Sequence, residues 1–288
     1  MRPSSPLTVE SIHSALATRA LGHRIELLGL TDSTNRTAFT LAQAGAEHGT
    51  VVVAEGQTDG RGRMGRSWFS PPGVNLYCSI VLRKAVRSDR LAEWLSWLPL
   101  TTALAAAEAI RQVTGVHAMV KWPNDLLIAE RKVGGILCEN SAASDTGPFQ
   151  IAGIGINVNG TRDDFPSDIV GSVTTLHDET GRVLDRNRLL SQLLIELEEC
   201  VDKLHINGQE QLAIAYRQRC STLGQMVRAT LAQGNEYIGI AEGIGPDGSL
   251  HVARRPAHSG GPPADVLQLR AADIVHLRPS QMNSEALQ

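Results

Sequence analysis

Cysteine is scarce in this chain: four among 288 residues, Cys78, Cys138, Cys200 and Cys220. No two form a C-x-x-C pair and none has a histidine at zinc spacing. Neither a disulfide scaffold nor a zinc site is expected, only idle thiols in a reducing compartment. Charge of one sign is not in excess either. Against 30 Asp and Glu stand 27 Lys and Arg, a net charge of −3, which excludes a broad nucleic-acid-binding surface. Long apolar runs are missing too. The most apolar stretch, residues 91–110, is interrupted by Glu93, Pro99 and Glu108 and reads as a buried helix, not a membrane crossing. Residues 1–6 lack the basic-then-apolar build of a secretory signal, so a cytoplasmic protein with no membrane partner is expected. What remains is an ordinary soluble composition, 42% hydrophobic and 20% charged, long enough for one large domain and one small one.

Thr8 can cap a helix over residues 8–21, which Gly22 stops. Strands are expected at 24–30, 50–55 and 74–82, and a helix over 34–44 that ends on Gly45. A long helix over 89–113, kinked by Pro99 and ended by Gly115, precedes four strands at 116–122, 125–129, 133–139 and 149–158. Leu189, Leu193, Leu197, Val201 and Leu204 recur every three or four residues, which predicts an amphipathic helix over 186–205, with another over 209–219. After Gly224 the pattern turns to period two, with short strands at 226–231, 237–242, 250–253, 266–269 and 274–277. Pro246-Asp247-Gly248 marks a turn between two of them, and the whole reads as a compact barrel. Residues 254–263, rich in Pro and Gly, are expected to form a mobile hairpin loop.

The strongest chemical signal is Gly60-Arg61-Gly62-Arg63-Met64-Gly65-Arg66, followed by Ser67 and Trp68. Glycines let the backbone approach an anion and turn N–H groups toward it, while the arginines can grip a phosphate bidentately. Such a loop is expected to stay mobile until an anionic ligand orders it. A solvated basic loop or an RGG-like nucleic-acid contact would read the same way. The same residues satisfy G-x-G-x-x-G, but Pro71 and Pro72 follow where a dinucleotide fold needs a helix, so that match is a coincidence. Further on, Lys121-Trp122-Pro123-Asn124-Asp125 ends one strand and Lys132-Val133-Gly134-Gly135 opens another, a hairpin that brings Lys121, Asp125 and Lys132 near one another. Gly153-Ile154-Gly155-Ile156-Asn157 places glycines inside an apolar strand, where they mark either a ligand's close approach or a crowded sheet. Asp32-Ser33-Thr34-Asn35 reads as a helix cap whose hydroxyls can also bind a small polar ring.

In this order and spacing the five motifs resemble the biotin protein ligase family: D-S-T-N at 32–35, Gln57 with the 60–66 loop and Trp68, K-W-P-N-D at 121–125, Lys132 with Gly135-Ile136-Leu137, and G-x-G-I-N at 153–157. The residues after Gly224, ending Asp273-Ile274-Val275-His276-Leu277, look like that family's C-terminal domain. The resemblance implies a mixed-sheet α/β catalytic domain of the biotin/lipoate ligase type over 24–222, after an N-terminal arm and helix over 1–23. A small Src-homology-3-like β-barrel over 223–280 and a disordered tail over 281–288 would follow.

It further implies that biotin and ATP, with Mg²⁺, form biotinyl-AMP, and that the biotinyl group passes to a lysine on the biotin carboxyl-carrier domain of a carboxylase. Ser33, Thr34, Asn35 and Gln57, with Gly60, Arg61 and Gly62, would hold the ureido ring. Trp68, Gly135 and Gly153 would line the valeryl chain. Lys132 would bridge carboxylate and α-phosphate. Arg61, Arg63, Arg66 and Lys121 would close on the adenylate, with Arg63 also counted among the biotin-binding and catalytic residues. Asn124 and Asn157 would face adenine, with Phe165 or Val173 replacing a tryptophan that some relatives place there. Asp125 would hold Mg²⁺ or orient the lysine. About 30 residues precede Asp32, too few for the DNA-binding domain of bifunctional relatives, so a monofunctional ligase, monomeric or weakly dimeric and without DNA as partner, is expected. Lipoate or octanoate attachment and non-catalytic biotin sensing are the rival readings. The arginine loop and the polar Ser33/Gln57 pair weigh against the first, Lys132 against the second.

Overall fold

The computed structural model describes residues 5–84, 86–141, 145–206, 209–231, 234–254, 265–270 and 272–277. The loop expected at 254–263 lies, apart from Arg254, outside the described residues, as does the tail expected at 281–288. The elements of the larger part are α1 (Val9–Ser14), β1 (Ile25–Thr31), α2 (Thr34–Gln43), β2 (Val51–Gln57), β3 (Leu76–Leu82), α3 (Leu91–Thr114), β4 (Met119–Lys121), β5 (Asp125–Ile128), β6 (Arg131–Ser141), β7 (Phe149–Ile156), α4 (Leu176–Thr180), α5 (Arg186–His205) and α6 (Gln209–Arg219). Their strands form one sheet in the order β1-β2-β3-β7-β6-β5-β4, with β1 and β2 parallel and every other pair antiparallel.

Because side chains alternate across a strand, the two faces of this sheet have different fates. On one face Leu76, Cys78, Ile80, Ile136, Ala152, Ile154 and Ile156 pack with the buried sides of α3 and α5 in a single core. Burial pushes the Cys78 thiol up to about 12 and that of Cys200, on α5, to about 11, so neither is a nucleophile at neutral pH. On the other face Val52, Val81, Phe149 and Ile151 receive Ala38 and Ala42 of α2. Further along that second face the strand positions are Gly153 and Gly155 on β7, cross-strand from Leu137 and Gly135 on β6. No side chain of β7 rises there, and the sheet has a bare floor.

Helix α3 runs unbroken through Pro99 to Gly115, which caps it in the left-handed conformation at φ 79°. Helix α1 is shorter than its sequence suggests and stops at Ser14. The reason is a tertiary partner: the Glu198 carboxylate on α5 accepts the backbone N–H groups of Arg19, Ala20 and Leu21 at 2.7, 2.8 and 3.0 Å, which holds that segment out of a helix.

The remaining strands, β8 (Met226–Thr230), β9 (Glu236–Ile244), β10 (Leu250–Arg254), β11 (Asp265–Leu269) and β12 (Asp273–His276), form an antiparallel sheet ordered β11-β10-β9-β8-β12. Its inward side chains, among them Val227, Ala241, Leu250 and Val252, belong to the same core as α3. Two indoles fasten the joint: Trp97 Nε1 donates to the Pro246 carbonyl (2.7 Å) and Trp122 Nε1 to that of Gly248 (3.1 Å). Buried indole N–H groups left without such acceptors would cost about 1–3 kcal/mol each.

Toward the other edge of the sheet Arg186 of α5 is 1% exposed, and its guanidinium donates to Glu55 of β2 at 2.6 Å and to the Asn75 and Ser5 carbonyls at 3.2 Å. Glu55 also accepts from the Leu7 N–H at 2.9 Å, so one ion pair ties the N-terminal segment, α5 and β2 together. Removing one partner of a buried pair strands the other charge. Glu55→Ala is expected to destabilise the protein by about 3–5 kcal/mol in urea unfolding, whereas Glu55→Leu combined with Arg186→Met should recover most of that loss.

Candidate active site

Over the glycine floor lies a cavity of about 130 Å³. Its ring of walls begins at the N-terminus of α2. Ser33 occupies the N-cap position, yet its hydroxyl makes no capping bond. Thr34 donates its backbone N–H to Gln57 Oε1 (2.9 Å), with its hydroxyl 3.2 Å from the same oxygen, and Gln57 Nε2 donates to Ser70 (2.9 Å). Asn35 lies flat on Gly153: a Cβ there would come within 1.9 Å of Asn35 Oδ1. Ser79 of β3 donates to that oxygen at 2.6 Å, and Asn35 Nδ2 donates to Glu139 (2.8 Å) and to the Leu137 carbonyl (3.1 Å). This end of the cavity is a connected polar network of fixed geometry.

The roof is the glycine–arginine segment. It closes as a hairpin in which Gly62 N–H donates to the Arg66 carbonyl and Trp68 N–H to that of Gly60, both at 2.7 Å. Met64 and Gly65 turn the tip with φ of 56° and 73°. A Cβ on Gly60 would meet the Trp68 carbonyl oxygen at 2.4 Å, so only glycine fits there. The sequence suggests a loop left mobile by repelling arginines. The structure gives two of those cations protein acceptors: Arg61 pairs with Glu139 at 3.1 Å and Arg63 donates to Asn124 Oδ1 at 3.2 Å and to the Ala272 carbonyl at 3.5 Å.

Trp68 is pressed onto the floor, where a Cβ on Gly155 would fall 2.6 Å from its indole and one on Gly135 at 3.2 Å. Its Nε1 is buried without a hydrogen-bond partner. Lys132 Nζ stands 5.3 Å from the Trp68 ring centroid and 2.6 Å from Asp125 Oδ1. Backbone pairing holds that lysine on two sides, with β5 on one and, on the other, the Ser172 carbonyl accepting its N–H at 2.8 Å.

Thirteen expected residues therefore line one cavity: Ser33, Thr34, Asn35, Gln57, Arg61, Gly62, Arg63, Arg66, Trp68, Asn124, Lys132, Gly135 and Gly153. Gly60 supports the hairpin from below, and Asp125 touches the site through Lys132. Asn157 lines a second cavity of about 140 Å³ with Trp68, Lys132, Phe165 and Val173. Its Nδ2 donates to the Thr174 carbonyl at 3.1 Å, while its buried Oδ1 has no partner. Asn124 and Asn157 thus serve different cavities, and the Asn124 amide already donates to the Ile136 carbonyl at 2.8 Å. Lys121 lines neither cavity. After burial, its charge is what holds the His276 imidazole below its ordinary range. Gly155, from the same motif as Gly153, completes the floor, whereas Ser79 and Glu139 support the site from outside the five motifs. Ser79 carried a signal, as the one small polar residue inside an otherwise apolar and aromatic strand. Among the described residues no three His, Cys, Asp or Glu side chains cluster to hold a metal ion.

A bare strand floor, one lysine beside it and an arginine hairpin above define a site for joining an anion to a phosphate-bearing partner, on the α/β fold of an acyl-transferring ligase. The model of the biotin/lipoate A/B protein ligase family matches residues 27–159. A biotin–[acetyl-CoA-carboxylase] ligase of Mycobacterium tuberculosis is 34% identical over 96% of this chain and 98% of its own. A bifunctional ligase/repressor of Bacillus spizizenii is 34% identical over 85% of this chain and 74% of its own. The structure of biotin protein ligase from Aquifex aeolicus in complex with biotin and ATP aligns with a TM-score of 0.73 at 28% identity, covering 89% of this chain and 99% of the other. The chain belongs to this family, among its biotin protein ligases.

Gly153→Ala is expected to displace Asn35, break its contacts with Ser79 and Glu139, and lower stability by about 1–3 kcal/mol. Gly171→Ala, where an added Cβ meets nothing within 4 Å, serves as the control and should stay within about 0.5 kcal/mol of wild type in the same thermal unfolding series.

Proposed function

We propose that this protein activates biotin with ATP as biotinyl-AMP, releasing pyrophosphate, and then transfers the biotinyl group to a lysine of a carboxylase's biotin carboxyl-carrier domain. The observation that carries the reading is Lys132: a single ammonium over a side-chain-free floor, between a polar pocket of ring size and an arginine hairpin. Attack of a carboxylate on a triphosphate brings two anions together, so the barrier is largely electrostatic and preorganised cations are its remedy.

In this reading Ser33, Thr34, Asn35 and Gln57, with backbone at Gly60, Arg61 and Gly62, bind the ureido ring, whose donors and acceptors suit hydroxyls and amides. A dithiolane ring has no N–H or carbonyl to exchange hydrogen bonds with these groups, which favours biotin over lipoate. The valeryl chain lies along Gly135 and Gly153 against Trp68, which must lift from the floor to admit it. Lys132 then meets both the carboxylate and the α-phosphate, exchanging Asp125 for the substrate anions. Arg61, Arg63 and Arg66 trade their protein acceptors for phosphate oxygens and shield the mixed anhydride from water. Adenine occupies the second cavity, where Asn157 Oδ1 lacks a donor and Phe165 and Val173 supply apolar walls. Lys121, paired across β4 and β5 with Asp125, contributes charge at longer range. Mg²⁺ carried by a triphosphate keeps most of its waters and needs one or two carboxylates at most. Asp125 is the carboxylate we assign to it, and the ion would neutralise phosphate charge.

Transfer of labelled biotin to a purified carrier domain, with ATP and Mg²⁺, tests the reading. Wild type should transfer, and Lys132→Ala should lose about 10²-fold or more in adenylate formation. Arg63→Gly is expected to form adenylate but release it, so that bystander proteins become labelled. Retention of adenylate by that variant would contradict the shielding role, and acceptance of lipoate or octanoate instead of biotin would replace the acyl group.

A further inference from the structure

Three cavities meet beneath the arginine hairpin, and biotin and adenine account for two. The third, of about 240 Å³, lies between α3, the Trp122–Asn124 turn and the C-terminal sheet. Arg63, Asn124 and Ile136 line both it and the first cavity, so the two are neighbours across the Arg63–Asn124 hydrogen bond. Its wall is mixed: Leu95, Pro99 and Leu100 of α3 and the buried Trp122 give it one apolar side, and Ser96 adds a polar group between them. The C-terminal sheet completes it. The Pro246–Gly248 turn sits directly on α3, where a Cβ on Gly248 would lie 3.2 Å from Leu100 and 3.4 Å from the Ser96 carbonyl. Arg270 reaches the rim, but its side chain is 76% exposed and pairs with Asp247 at 3.0 Å.

We propose that this third cavity is the entrance for the acceptor lysine, whose aliphatic stem lies against Leu95, Pro99 and Trp122 and whose amine reaches the adenylate past Arg63 and Asn124. The inference rests on the ligase reading above. The other occupant to consider beside an arginine is polyphosphate, which needs several cations and N–H donors. Here the cations are Arg63 and an Arg270 already matched by a carboxylate, and Leu95, Pro99 and Trp122 form an apolar side beside them. A lysine has the opposite needs: its methylenes seek an apolar sheath. It must also arrive as a free amine, and both the loss of water along that sheath and the guanidinium at its inner end disfavour the ammonium form. The neutral nitrogen bonds to the acyl carbon. The bond from that carbon to the phosphate oxygen breaks, its electron pair leaves on AMP, and the proton shed by nitrogen passes to solvent. The C-terminal sheet thereby gains a part in the second half-reaction, since without the 246–248 turn the channel has no outer wall.

The two half-reactions separate this proposal from its alternatives. Ser96→Trp, which fills the cavity from α3, is measured for biotin-dependent ATP–pyrophosphate exchange, for trapping of adenylate by hydroxylamine, and for transfer to the carrier domain. Exchange and trapping are expected within about twofold of wild type, and transfer about tenfold or more below it. Transfer at the wild-type rate, or exchange and transfer reduced by one common factor, overturns the proposal. Should Ser96→Trp lower the melting temperature, Leu95→Phe fills the same space more gently and is judged by the same comparison. Wild-type protein that shows no exchange with biotin would instead remove the ligase reading itself.

Discussion

The absence of side chains at Gly135, Gly153 and Gly155 is the constraint on which the rest of this site depends. In an antiparallel sheet, cross-strand neighbours share a face, and Gly135 opposite Gly155 therefore clears a continuous area on that face. Three things then come to rest on it: the Asn35 amide, the Trp68 indole and the stem of Lys132. The amide and the indole approach closer than a Cβ would allow, at 1.9 and 2.6 Å, and the lysine stem comes within 3.3 Å of where one would stand. The polar network at one end, the hairpin above and the lysine at the other end all take their heights from this floor.

Electrostatics is arranged around the same surface. The cations described here do not repel freely. Arg61 is matched by Glu139, Lys132 by Asp125, and Arg63 leans on two carbonyl oxygens. All three arrangements are partly exposed, where an ion pair is worth about 0–1 kcal/mol, so anions with better geometry can displace the protein partners at small cost. The Arg186–Glu55 pair is the contrast: with Arg186 almost fully enclosed, it is a structural bolt and not a switch.

The C-terminal sheet is bound into the same core as α3, and its contacts reach the site. Arg63 meets the Ala272 carbonyl, and the Trp122 indole, one residue from the Pro123-Asn124 turn, donates to Gly248. The arginine hairpin and the C-terminal part are therefore in direct contact. A displacement of one is felt at the other through two hydrogen bonds and a shared apolar wall.

Much of this could be read from the chain alone. The strands from 24 to 158, the helices at 186–205 and 209–219 and the five later strands follow from local periodicity, and the observed ends differ by only a few residues. The motif residues, too, are largely those around the first cavity, because each motif is a short run whose chemistry is complete in itself. What the sequence could not decide are matters of partnership at long separation. Helix α1 ends early because of Glu198, more than 170 residues away. Glu139 becomes Arg61's partner across 78 residues, and Ser79 supports Asn35 across 44. Lys121 falls outside the cavities although it shares a motif with Asn124, and Asn124 and Asn157 part into different cavities. Such outcomes depend on strand order and register, and a shift of one residue in register would reverse every face. Local composition determined which chemistry the chain carries; the pairing of distant strands decided which of those groups meet.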